Sequence, residues 1–140
     1  MFKTILLGVD GSDHGLNAAK VAGDLARAMN SEMLRIVVAF DAIPPYLGEP
    51  NLQHAIDARL TQANAIWEAA VQAVGEVPAD VHTELIEGSA AEAIIEVAKT
   101  RGSDLIVMGS RGLGRLSGAV LGSTSQKVVS HAPCPVLIVR

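Results

Sequence analysis

The chain holds a single cysteine, Cys134, among 140 residues. One thiol excludes any framework of intrachain disulfides and fits a reducing interior compartment. Basic charge is also scarce, with 11 Lys and Arg against 15 Asp and Glu and a formal net charge of -4. A nucleic-acid surface, which needs a basic patch or stripe, is therefore not expected. Long apolar runs are missing too. Thr4 to Val9 stops at Asp10, shorter than a signal-peptide core and far shorter than a membrane span. The expectation is a soluble, cytoplasmic protein that meets neither nucleic acid nor membrane. Internal repeats and low-complexity tracts are absent. His14, His54, His82 and His131 lack metal-ligand spacing and read as surface or capping residues. No paired carboxylates and no Ser/His/Asp order announce acid–base or nucleophilic work. Cys134, between Pro133 and Pro135, reads as a buried small residue with no base beside it. No catalytic and no metal-ligating residue is assigned.

What is present is a hydrophobic content of 49%, enough for one core and, at this length, for one domain over residues 1–140. Short runs rich in Val, Ile and Leu alternate with segments of helical period, the pattern of βαβ units on a parallel sheet. Five strands are expected at Thr4–Val9, Met33–Phe40, Val81–Glu87, Leu105–Met108 and Pro135–Val139. The first helix spans Ser12 to Met29 with a stripe at Ala18, Val21, Ala22 and Leu25. The second spans Leu52 to Val74 with Ile56, Leu60, Ala63, Trp67, Ala70, Val71 and Val74 on one face. Ser89 and Glu92 form a capping box for the third, which Gly102 stops in a left-handed turn. The fourth runs from Ser123 to about Ala132, where Pro133 and Pro135 forbid continuation. Asp41 to Asn51, with Pro44, Pro45, Gly48 and Pro50, reads as a long loop, either a plain surface connection or a flap over a ligand.

Right-handed crossovers leave few arrangements for five parallel strands. The expected fold is an open α/β sheet of order 3-2-1-4-5 with helices on both faces and a topological switch point between the first and fourth strands. Two distinctive loops meet there. One is Val9-Asp10-Gly11. The other begins Gly109-Ser110-Arg111-Gly112 and, nine residues on, reaches Gly122-Ser123-Thr124 at the start of a helix. Glycines after a strand admit an anion close to backbone amides, and the first amides of a helix are unsatisfied. No Walker A sequence occurs, and Gly112-Leu113-Gly114-Arg115 lacks the third glycine of a dinucleotide fingerprint. Arg111 and Arg115 are local cations for an anion, or else solvated loop residues. Asp10 suits a ligand hydroxyl, the start of the first helix, or both.

The spacing Gly109-x-x-Gly112, nine residues, Gly122-Ser123 resembles the ATP-binding signature of the universal stress proteins. The resemblance extends over the whole chain, through Ile5-Leu6-Leu7-Gly8-Val9-Asp10-Gly11-Ser12, Gly102-Ser103-Asp104-Leu105-Ile106-Val107-Met108-Gly109 and His131-Ala132-Pro133-Cys134-Pro135-Val136-Leu137-Ile138-Val139. It implies a stress or signalling module that binds ATP with weak or no hydrolysis. Gly8, Val9 and Asp10 would then approach the ribose and adenine, and the strand end from Val38 to Phe40 would contact the base. Met108, Gly109, Gly112, Gly122, Ser123, Thr124 and Ser125 match phosphate and ribose contacts. Family members often carry His-Val where this chain has Ala39-Phe40. Mg2+ or Mn2+ would be held mainly through the phosphates. The apolar run Val136 to Val139, at a sheet edge, invites a homodimer, which is also the family's usual assembly. A slow ATPase or nucleotidyl-transfer enzyme, a nucleotide-independent interaction dimer, and an AMP or cAMP binder remain as alternatives.

Overall fold

A computed structural model describes residues 1–111 and 121–140; Gly112 and Arg115 lie outside the described residues. Five strands, β1 (Thr4–Val9), β2 (Met33–Phe40), β3 (Asp80–Glu87), β4 (Leu105–Gly109) and β5 (Val136–Val139), alternate with helices α1 (Asp13–Met29), α2 (Asn51–Val74), α3 (Ala90–Arg101) and α4 (Ser123–His131). The strands form one sheet in the order β3-β2-β1-β4-β5, and every pairing is parallel. This is the order that the sequence predicts.

Burial explains why the central strands read as unbroken apolar runs. Ile5, Leu7 and Val9 face a cluster completed by α1 and α2, whereas Leu6 faces one completed by α3 and α4. Alternate residues of β1 thus enter different cores, and both faces demand carbon. Each of Ile5, Leu6 and Leu7 is fully buried, which contributes about 1.5–3 kcal/mol per side chain. The α1–α2 pair packs closely because Gly23 lacks a side chain, and a Cβ there would lie 2.3 Å from the Val74 carbonyl oxygen. Arg27 closes the same corner by donating from one guanidinium nitrogen to the Val74 and Glu76 carbonyls, each at 2.9 Å.

Several local expectations are corrected. Ser89 occupies the N-cap position of α3, but its side chain makes no capping bond. Glu92 reaches instead to Lys127 of α4 at 3.1 Å, so the capping box does not form. Gly102 does end the helix in the left-handed region, with φ of 66°. Leu60 is 41% exposed, since the buried residues of α2 begin only at Ala63. A contact with no local signature joins the edge strand β3 to its neighbours, since Glu84 binds Arg35 at 2.9 Å and Arg101 at 3.2 Å. Cys134 is half-buried rather than buried. Within the segment between β2 and α2, Pro45–Leu47 forms one 3-10 turn. Among the described residues, no helix is long and apolar enough to cross a membrane.

Candidate functional site

β1 has β2 on one side and β4 on the other, and α1, which follows β1, packs on one face of the sheet whereas α4, the helix after β4, packs on the opposite face. The ends of the two strands therefore part, and a cleft of about 290 Å³ opens between them. Its walls are Gly8, Val9 and Asp10 from β1 and its exit, Ser12 and Gly15 from the start of α1, and Met108, Gly109 and Arg111 from the end of β4. Gly122, Ser123, Thr124 and Ser125 come from the first turn of α4, and Ala90 and Ile94 from α3.

Asp10 is held in place by the helix that follows it. Its Oδ1 accepts the Ser12 amide at 2.9 Å and the Ser12 hydroxyl at 2.5 Å, while the Ser12 Oγ accepts the Gly15 amide at 3.1 Å as the N-cap of α1. One carboxylate oxygen is thus committed to the fold, and Oδ2 has no partner among the described residues. The two readings of Asp10 are compatible at the level of single atoms.

Ser110, which does not line the cleft, organises its other wall. The Ser110 amide donates to the Val139 carbonyl at 2.8 Å, and its own carbonyl accepts the Gly122 amide at 2.8 Å. The Ser125 hydroxyl also lies 2.8 Å from that carbonyl, and the Ser110 hydroxyl lies 2.7 Å from Nδ1 of His14. One buried serine therefore ties β4 to β5, α1 and α4. Gly122 is the N-cap of α4 and no side chain caps the helix. The first bond inside it runs from the Gln126 amide to the Gly122 carbonyl at 3.0 Å. The amides of Ser123, Thr124 and Ser125 are left without intrahelical partners at the positive end of the helix dipole. A phosphate suits such a terminus, and the residues that reach the cleft fit one.

Two glycines of the site have steric reasons for being glycine. At Gly109 a Cβ would lie 2.9 Å from the His14 carbonyl carbon and 3.0 Å from the Gly15 nitrogen, so α1 could not pack over the end of β4. At Gly8 a Cβ would lie 2.6 Å from Cδ1 of Ile94. Gly8 makes room for a side chain of α3.

Of the residues singled out from sequence, Gly8, Val9, Asp10, Met108, Gly109, Arg111, Gly122, Ser123, Thr124 and Ser125 all border the cleft. Val38 and Phe40 do not. Val38 is fully buried in the core beneath α1 and α2, and Phe40 packs against that same core. The Phe40 carbonyl accepts the Gly88 amide at 2.8 Å, anchoring the segment that leads into α3. Sequence reasoning missed Ser12, Gly15, Ala90 and Ile94 as lining residues, and Ser110 as the organiser. Ser12 carried a signal, since it follows Asp10 at capping distance. Ala90 and Ile94 read only as an apolar helix stripe.

The model of the Universal stress protein family matches residues 1–140. A universal stress protein of Thermus aquaticus, named for its position in the QAH/OAS sulfhydrylase 3' region, is 49% identical over 140 residues and covers 100% of both chains. Among solved structures, universal stress protein UspA from Lactobacillus plantarum superposes with a TM-score of 0.85 at 30% identity, covering 99% of this chain and 98% of the other. A universal stress protein crystallised in complex with cAMP has a TM-score of 0.70 at 30% identity, over 99% of this chain and 97% of its own.

Proposed function

The chain belongs to the universal stress protein family, and we propose that this member binds ATP in the cleft between β1 and β4 and holds it with weak or no hydrolysis, as a nucleotide-dependent stress or signalling module. The carrying observation is the uncapped start of α4, whose amides and Ser123 and Thr124 hydroxyls border the same cleft as Gly109, Arg111 and Asp10. In this reading the phosphates lie along α4, and the Oδ2 of Asp10 accepts a ribose hydroxyl. A relative at 30% identity that binds cAMP supports an adenine nucleotide as the ligand class.

The magnitudes are sufficient. Hydrogen bonds to a charged group contribute about 1.5–3 kcal/mol each, and the helix dipole adds roughly 0.3–1 kcal/mol. Four such contacts, less the ordering losses of association, support a dissociation constant on the order of 1 μM, or about -8 kcal/mol. The reading includes retention of the nucleotide with weak or no turnover. Asp10 is the one carboxylate among the described lining residues, and its Oδ1 is spent on Ser12. In the same reading, Mg2+ or Mn2+ is held mainly by phosphate oxygens.

The protein is read as a cytoplasmic homodimer. β5 pairs with β4 along one edge, and its other edge ends the sheet, where an apolar Val136–Val139 can meet a second copy. Mass spectrometry of the copurifying nucleotide, followed by calorimetry with ATP, AMP and cAMP with and without Mg2+, tests the reading. ATP at micromolar affinity is expected. Tighter binding of cAMP would make the protein a cyclic-nucleotide binder, and no heat with any of the three would overturn nucleotide binding altogether.

A further inference from the structure

Two arms of the cleft come from helices on opposite faces of the sheet. Asp10, Ser12 and Gly15 belong to the approach and first turn of α1, whereas Gly122, Ser123, Thr124 and Ser125 belong to the first turn of α4. Neither helix by itself fixes its distance from the other. Ser110 stands between them. Its carbonyl accepts the Gly122 amide and the Ser125 hydroxyl, each at 2.8 Å, and its hydroxyl meets Nδ1 of His14 at 2.7 Å. His14 precedes Gly15, whose amide donates to the Ser12 Oγ at 3.1 Å, and the Ser12 hydroxyl in turn donates to Oδ1 of Asp10. Hydrogen bonds and one peptide link thus run without a gap from Asp10 to the start of α4. The approach of the Ser12 Oγ to the Arg111 carbonyl, at 3.4 Å, is not a second such bridge, because the single hydroxyl proton of Ser12 is committed to Asp10.

Ser110 is 5% exposed and does not border the cleft, so its hydroxyl meets no ligand. The bond to His14 lies in a tight joint, where a Cβ on the neighbouring Gly109 would stand 2.9 Å from both the Cβ and the carbonyl carbon of His14. Packing alone keeps α1 against the end of β4. A hydrogen bond adds direction, and direction decides how the first turn of α1 is set against the Ser110 carbonyl.

Resting on the nucleotide reading, we propose that His14 and Ser110 are positioning residues whose bond sets the separation between Asp10 and the first turn of α4. A ligand that touches both arms gains from the second contact only if the spacing is right before it arrives, since contacts linked through one molecule reinforce each other only when the geometry admits both together. The pair acts through Asp10 and α4. Its effect on affinity therefore exists only while Asp10 itself grips the ligand.

That dependence gives the test, a double-mutant cycle read by calorimetry with ATP on the full chain. Ser110→Ala and His14→Ala should each weaken ATP about fivefold, the net worth of one hydrogen bond, and Asp10→Asn roughly tenfold. Asp10→Asn combined with Ser110→Ala should bind within about twofold of Asp10→Asn alone. His14→Asn, whose amide stands close to where Nδ1 stood, should bind as the parent does. Losses that multiply to roughly fiftyfold in the combined variant would overturn the proposal, because Ser110 would then serve folding or another part of the site. So would parental affinity in Ser110→Ala, or a His14→Asn variant as weak as His14→Ala. Should Ser110→Ala fail to fold, the cycle is run with His14→Ala, at a half-buried position, with the same outcomes deciding. A parent that binds no ATP is a different result and removes the nucleotide reading beneath the proposal.

Discussion

The Ser125 hydroxyl donates toward the Ser110 carbonyl at 2.8 Å, and by that bond the first turn of α4 is fastened to the end of β4. Ser125 is 2% exposed, and the same hydroxyl lies 3.0 Å from the Gly122 carbonyl. Its side chain therefore holds the first turn of α4 in place from behind.

Ser125→Ala should cost about 1 kcal/mol of stability, the net worth of one hydrogen bond, because the Gly122 amide still satisfies the Ser110 carbonyl. Urea denaturation measures this. ATP affinity should fall several-fold through loosening of the turn, and a loss of stability above about 3 kcal/mol would mean that the carbonyl had been orphaned after all.

Asp10→Asn separates the two duties of that residue. The amide oxygen can still accept from Ser12, so melting should change little. The loss of a charge-assisted bond to the ligand should weaken ATP roughly tenfold, about 1.4 kcal/mol. Asp10→Ala removes the acceptor for both Ser12 donors and should lower stability and affinity together.

Gly109→Ala forces a methyl group against the backbone of His14 and Gly15. Backbone cannot yield as a flexible side chain can, so a destabilisation of about 1–3 kcal/mol is expected, in the range of overpacked cores. A differential scanning measurement showing an unchanged melting point would contradict the packing described for α1 over β4.

Dimerisation through β5 is tested at Leu137, which is 36% exposed on the edge strand. The parent should sediment as a dimer at micromolar concentration and Leu137→Lys as a monomer with its helical content intact. A monomeric parent would remove the assembly.

The Cys134 thiol has its pKa raised above its ordinary 9.0, first by burial and second by the nearby negative charge of Asp104. It should stay protonated at neutral pH and alkylate slowly with iodoacetamide, faster once the chain is unfolded. The folded state holds this proton more tightly than the unfolded state does. Its contribution to stability is therefore complete below the unfolded pKa and is lost as pH rises through the folded one. A thiol that reacts at neutral pH as fast folded as unfolded would contradict the shift.

The sheet was legible because its central strands are buried on both faces and so are written as continuous carbon, and because crossover handedness then leaves few orders. The polar half of the site was legible for a local reason: Asp10, Gly109 and Gly122 stand where strands end and helices begin. The carbon half was not. Ala90 and Ile94 have the spacing of any buried helix face, and only the approach of α3 to Gly8 across the sheet brings them to the cleft. Glu92 misled because its partner, Lys127, lies on another helix, a contact without a local signature. Leu60 misled because the apolar stripe of α2 extends further than the core beneath it. Phe40 packs its ring against the core and gives its carbonyl to Gly88.

The guanidinium of Arg27 and the bare backbone of Gly23 weld the tail of α2 to α1. The connection from Gly75 to Asp80 is thereby anchored at its start, just ahead of the edge strand β3. The excursion from Asp41 to Pro50 carries no such weld and is mostly exposed. A protein engineer who wished to graft a recognition peptide onto this scaffold would do so there.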